Sequence, residues 1–504
     1  MKKQPLLLLA SSLFLLIPGP AGAQSPSPSA TSSPCPSPMT CPNRMGWAEG
    51  LVSNAVYPAP PFPVNDTAIK TVKNVSHPDD CDFHEWSWEA FVWATGIGPD
   101  GRARFVTLHN ADELFGNKAA SVKGPKPLSL KPRDLKPTGA PQDRSGDEAA
   151  QAGGGLVVDQ NGQIVWYSTH MNDVYFNFVK ANSGANYAKV PPTRNFPVGA
   201  AVFKASWKVV GPGDDTTKFY TEDSVVPMLV PNPCGGIMVD PAGNTRPAKV
   251  ALVGLHVVGV TVNHPEFLWA TFEQNNNAPD LPPGMDPSSP NPVNNQGFTF
   301  YAANTPANKC NIKAGAGGAP ALQITDPVKQ TVGPVTNVFR QYATGNACPA
   351  RTQDIIAVNT ASQKQLAQAN TARPPRPKET VWANYKLIGT LWLNANTLKP
   401  NDSNMVSEGI GSVNLANATL ETYFQGHLSN GQAISCFLCH NTGGSNSKTH
   451  PYPGKDINIS HLVLGLIPAP PTPTPTPCKP AASPTPATVS TPAASATASP
   501  SPTN

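Results

Sequence analysis

The chain has 504 residues, of which 39% are hydrophobic and 13% charged, with 59 prolines and a formal net charge of +4. So much proline favours turns and short strands over long helices. A charge this small, with no basic cluster or nucleic-acid motif beside it, excludes nucleic acid as the expected partner.

At the N-terminus Lys2 and Lys3 precede the apolar run PLLLLASSLFLLIPG, and the small residues at 21–23 offer a cleavage site. This is the pattern of an export signal, residues 1–23, removed after Ala23. A retained anchor fits less well, because the run is shorter than a bilayer span and is interrupted by Pro18 and Pro20. The mature chain is expected outside the cytoplasm, periplasmic or extracellular, with no stable membrane span. Residues 24–44 are rich in Ser and Pro and read as a linker. Residues 468–504 repeat that theme and read as a disordered Pro/Thr/Ser-rich tail, since neither segment can bury enough apolar surface to offset its ordering entropy.

Between them lies a β-rich body, 45–400, followed by a segment of helix and loop, 401–467. DFHEWSWEAFVWAT (82–95) predicts a helix. GLVVDQNGQIVWYSTHM places Asn161-Gly162 between two alternating runs, which predicts a hairpin with a tight turn. Strands are predicted over 200–210, 249–263, 266–273 and 381–393. The run 249–263 is apolar on both alternating faces, so it should be a central strand covered on both sides. His264 before Pro265 suggests a turn. A second helix is predicted from a cap at Ser412 or Asn414 through LANATLETYFQGH, with Ala416, Leu420 and Phe424 on one face. The fold class expected is mainly β, with some α+β character.

The motif that carries chemistry is Cys436-Phe-Leu-Cys439-His440, a C-x-x-C-H. Two thiols three positions apart lie on one side of a helical turn, where each can form a thioether to one vinyl group of a haem. The histidine that follows turns a neutral imidazole to the iron. Half a zinc site is the first rival, but a zinc ribbon needs a second C-x-x-C and the chain has none. A redox dithiol is the second, but it lacks a thioredoxin-like βαβ setting. One motif predicts one covalent haem c, bound through Cys436 and Cys439, with His440 as axial ligand.

The sixth iron ligand is less clearly marked. No methionine follows Met405. His461 is the leading candidate, since Ile457, Ile459 and His461 share a face if that stretch is extended. His450, His427 and Met405 are weaker candidates. His256 reads as a satisfied core histidine for which a haem-pocket role stays open. Seven cysteines remain for disulfides, with Cys478 as the expected odd thiol. Most tryptophans, Trp269 among them, read as core.

The blocks KASWKVV, LVGLHVVGVTVNHPEFLWATFEQNNNAPD, NYKLIGTLW and LANATLETYFQ, together with SCFLCH, resemble a group of exported bacterial proteins described as cytochrome c family proteins. The resemblance spans most of residues 80–465. It implies a long β-rich body with haem c on Cys436 and Cys439 and His440 on the iron. The expected function is single-electron exchange with a redox partner protein. The alternatives are a peroxidase-like haem enzyme with an open iron site, or a β protein that binds a glycan or partner and carries a secondary haem.

Overall fold

A computed structural model describes residues 61–64, 80–115, 128–132, 154–345, 349–368, 380–428, 431–446 and 451–467. The export signal, the 24–44 linker, His450 and the 468–504 tail lie outside the described residues. Among the described residues no helix is long and apolar enough to cross a membrane.

The body is mainly β, built on a nine-stranded antiparallel sheet. Its main strands are β1 (Val165–Met171), β2 (Ala201–Val209), β3 (Thr221–Pro227), β4 (Thr245–Thr261), β5 (His264–Gln274) and β6 (Tyr385–Trp392). The spatial order runs β1, β2, β4, β5, β6, and β3 pairs with the first half of β4. As its composition predicts, β4 is central: β2 and β5 flank it, and its second half is buried on both faces. The predicted turn forms at 159–162, where the Gly162 amide donates to Asp159 O at 3.0 Å and Gly162 has φ +77°. The Asp159 carboxylate accepts from the amides of Asn161 and Gln163, which fixes the turn.

Side-chain alternation splits the sheet into two faces. One carries Phe203, Ala205, Leu255, Val257, Leu268, Ala270 and Phe272. Helix α1 (Asp80–Thr95) covers this face, and Phe91 stacks on Phe272 at 4.2 Å. Every residue of α1 except Glu89 is buried, so the helix runs through the core with no polar stripe. The other face carries Val258, Val260, Trp269, Ile388 and Leu391, and on it packs the C-terminal segment with Phe437, Ile459 and Leu462.

Two expectations are corrected. Residues 412–427 form successive turns and no helix. Their polar side chains bind nearby backbone in place of helical carbonyls. Asn417 Oδ1 accepts from the amide of Thr419 at 2.9 Å, and the Asn417 amide donates to Glu421 Oε2 at 2.9 Å. His264 opens β5 just after a two-residue turn; it is buried, and it meets Glu266 Oε1 at 2.8 Å.

Candidate haem-attachment site

The motif forms a single helical turn, α4 (Cys436–Cys439), closed by the His440 amide donating to Cys436 O at 2.8 Å. Phe437 is fully buried and turns into the sheet face, where its ring meets Trp269 edge-on at 6.2 Å. That anchor leaves Cys436, Cys439 and His440 half-buried on the turn's other side. Neither thiol is in a disulfide. The spacing therefore does what it predicts: it brings two thiols and one imidazole to one side of one turn.

The segment facing the turn is held by its own contacts. Lys455 Nζ donates to Tyr187 O and Val190 O, the Tyr187 hydroxyl donates to Asn458 Oδ1, and the hydroxyls of Tyr175 and Ser460 meet at 2.6 Å. These bonds fix the carbonyl of Ile459, which lies 3.0 Å from His440 Nδ1. Nδ1–H donates there, so the Nε2 lone pair is free for a metal. A backbone carbonyl on the far nitrogen is the usual support of a ligating histidine.

Electrostatics agree with this role. Burial, and then the charges of His461, Lys204 and His256, hold the His440 imidazole well below its ordinary pKa, so it is neutral and able to ligate. Burial first, and then the negative charge of Glu421, push the Cys436 thiol up. A redox dithiol or a zinc thiolate needs the opposite shift. Among the described residues no group of three or more His, Cys, Asp or Glu side chains gathers as a metal-ion ligand set. Cys436 and His440 are thus largely desolvated yet keep accessible surface.

His461 begins helix α5 (His461–Gly465) and stands beside His440. The two rings stack at 4.0 Å with planes 16° apart, and His461 Nε2 lies 3.1 Å from Cys439 O, to which it donates. Met405 is buried in the apolar cluster that holds Phe437. His427 is exposed, and its ring nitrogens meet the Tyr342 hydroxyl and the Asn414 amide.

Near α4 lies a group of polar side chains that motif reading did not assign: Lys204 and His256 act electrostatically on His440, and Glu421 on Cys436. On the sheet face carrying Trp269, one residue row reads Lys204, His256, Thr271 across β2, β4 and β5. His256 is no sealed core residue: it keeps partial exposure, with Nε2 2.9 Å from Glu421 Oε1 and Nδ1 2.8 Å from Thr271 Oγ1. Burial works to raise the Glu421 carboxyl, but His256, the Asn417 amide and Lys204 together outweigh it, and the group is held below the usual range. The Trp269 ring lies 4.5 Å from that of His440. The available signal was a run of polar residues at period two, His256 in one strand and Thr271 and Glu273 in the next, inside otherwise apolar sequence.

Family models, curated proteins and solved structures were each compared with the chain, and none matches.

Proposed function

We propose that the chain is an exported protein that carries one haem c, tethered through Cys436 and Cys439 with His440 on the iron, and that it exchanges single electrons with a partner protein. The observation that carries this reading is the donor set on α4. Two thiols outside any disulfide share one side of a turn with an imidazole whose Nδ1–H donates to Ile459 O, which leaves the lone pair on Nε2. The haem would supply a one-electron iron couple. The chain's own residues hold the axial imidazole neutral and aimed, through Ile459, and bury one side of the site against Trp269 and Phe437. A dry surround of this kind limits side reactions and tunes the potential.

The test is to express the full chain in a host able to attach haem c, then take the intact mass and the pyridine haemochrome spectrum. The expected mature protein exceeds its polypeptide mass by one haem and shows a thioether-type haemochrome. The double substitution Cys436→Ser, Cys439→Ser abolishes both. A colourless protein at polypeptide mass refutes the reading.

A further inference from the structure

We propose that His461 is a positioning residue: its ring, stacked on that of His440, sets the plane of the axial imidazole. This deepens the reading above and rests on haem c attachment at Cys436 and Cys439.

Contact is the first argument. One hydrogen bond, from His440 Nδ1–H to Ile459 O at 3.0 Å, pins a point on the ring's edge and leaves the ring able to turn about that bond. The stack removes this freedom. The His440 and His461 rings lie 4.0 Å apart with planes 16° from parallel. At that spacing their atoms are already in van der Waals contact, so a turn of either ring drives its edge into the other. The Trp269 ring, 4.5 Å from His440 and tilted by 44°, limits the same motion from β5.

Anchorage is the second. A stacking ring fixes its neighbour only if it is fixed itself. His461 Nε2–H donates to Cys439 O at 3.1 Å, the carbonyl just before His440. His461 also opens α5, whose Leu462, Val463 and Leu464 are fully buried in the apolar cluster on the sheet face. Three residues before it, the fully buried Asn458 donates from Nδ2 to Gly443 O at 3.1 Å. The segment 458–461 therefore grips the motif loop at Cys439, His440 and Gly443, and the bond and the stack that hold His440 come from positions two residues apart on one anchored piece of chain.

The consequence is electronic. In low-spin ferric haem the plane of the axial imidazole selects the iron d orbital that holds the unpaired electron, and so which ring methyls carry spin density. A plane locked by its neighbours gives one electronic arrangement and little rearrangement when the iron changes charge, as single-electron exchange favours.

The test uses the haem-loaded full chain, after its mass and haemochrome have established attachment. Proton NMR of the ferric protein reads the spread of the four haem-methyl shifts, in the cyanide adduct if the iron takes cyanide. Cyanide is cylindrical, so the spread in that adduct reports the plane of His440. Wild type is expected to show widely separated methyl shifts. His461→Ala frees the ring and narrows the spread, with the haem mass retained. His461→Phe keeps a stacking ring without the Nε2–H donor and preserves the wild-type pattern. His461→Gln keeps a donor without the ring and follows His461→Ala. An unchanged spread in His461→Ala, or a His461→Phe variant that matches His461→Ala, overturns the assignment while leaving attachment intact. Loss of a low-spin spectrum in His461→Ala that added imidazole restores also overturns it, by placing His461 on the iron. Absence of covalent haem overturns the underlying reading instead.

Discussion

Asn417→Ala tests whether the polar turns at 412–427 are a stable part of the fold. Asn417 is fully buried, and its side chain makes four hydrogen bonds. Nδ2 donates to Thr271 Oγ1 at 2.9 Å and Phe272 O at 3.0 Å, and Oδ1 accepts from the amide and the hydroxyl of Thr419 at 2.9 and 2.8 Å. A net hydrogen bond contributes about 1 kcal/mol, and a buried donor left bare costs about 1–3 kcal/mol. Phe272 O lies in the β4–β5–β6 ladder, and the Thr271 and Thr419 hydroxyls keep other partners, His256 and Ser206. The Thr419 amide loses the acceptor it has in Asn417 Oδ1. The loss should therefore be about 3–5 kcal/mol. Urea unfolding followed by tryptophan fluorescence measures it, because all the large tryptophans of the sheet and α1 lose their packing together. The expected result is a lower midpoint at unchanged slope. A loss below about 1 kcal/mol would refute the reasoning, since it would mean that the turns hold without this residue.

Arg340 is buried, with Nη2 2.5 Å and Nε 3.2 Å from the buried carboxylate of Glu273, and it also pairs with Asp280. Arg340→Met should destabilise by about 3–5 kcal/mol, and adding Glu273→Met should recover part of that, because the first change strands a charge and the second removes it. Denaturant midpoints of the single and double variants decide it, and a double variant as weak as the single would contradict the argument. Asp456 is buried with Oδ1 unpartnered, and burial pushes its carboxyl up to about 6. The folded state then takes up a proton before the unfolded state does, so this group destabilises the fold above about pH 6 and the penalty fades as pH falls toward 4. Asp456→Asn should gain stability relative to wild type at pH 8 compared with pH 4.5. Paired urea titrations at the two pH values check the sign, and a gap that is flat or reversed would be evidence against it.

Most of the central strands were legible because burial leaves a mark in the sequence, as in the near-continuous apolar second half of β4; β3, half-exposed along its length, was not among the predicted strands, and the run 381–393 becomes strand only from Tyr385, after a 3-10 turn over Thr380–Asn384. The turn at C-x-x-C-H was legible because its spacing is itself the geometry. Residues 412–427 misled for a physical reason. Ala416, Leu420 and Phe424 fall at helical spacing, yet Asn417, Thr419 and Glu421 between them satisfy the backbone locally, and that preference wins. Gly254 and Gly389 complete the explanation. A Cβ at Gly254 would lie 2.6 Å from Thr419 Oγ1, and one at Gly389 would lie 2.1 Å from Ser412 Oγ, so these turns rest against bare backbone. No local pattern in 412–427 announces that two glycines far away make room for it. The same long-range pairing hid Glu421 and Lys204 from motif reading, and it left His256 described as core, because each gains its meaning from a partner on another element.

Cys310 has a practical consequence for handling the protein. Its thiol is buried, its Sγ donates to Pro306 O, and burial pushes its pKa up to about 12, whereas Cys81 and Cys234 are already in disulfides. Among the described cysteines only Cys436 and Cys439 combine a thiol outside any disulfide with accessible surface, so an alkylating reagent reaches sulfur there first, and slowly at Cys436, because burial pushes its thiol up as it does that of Cys310. On the proposed reading, peptide mapping of that label counts the molecules to which no haem was attached.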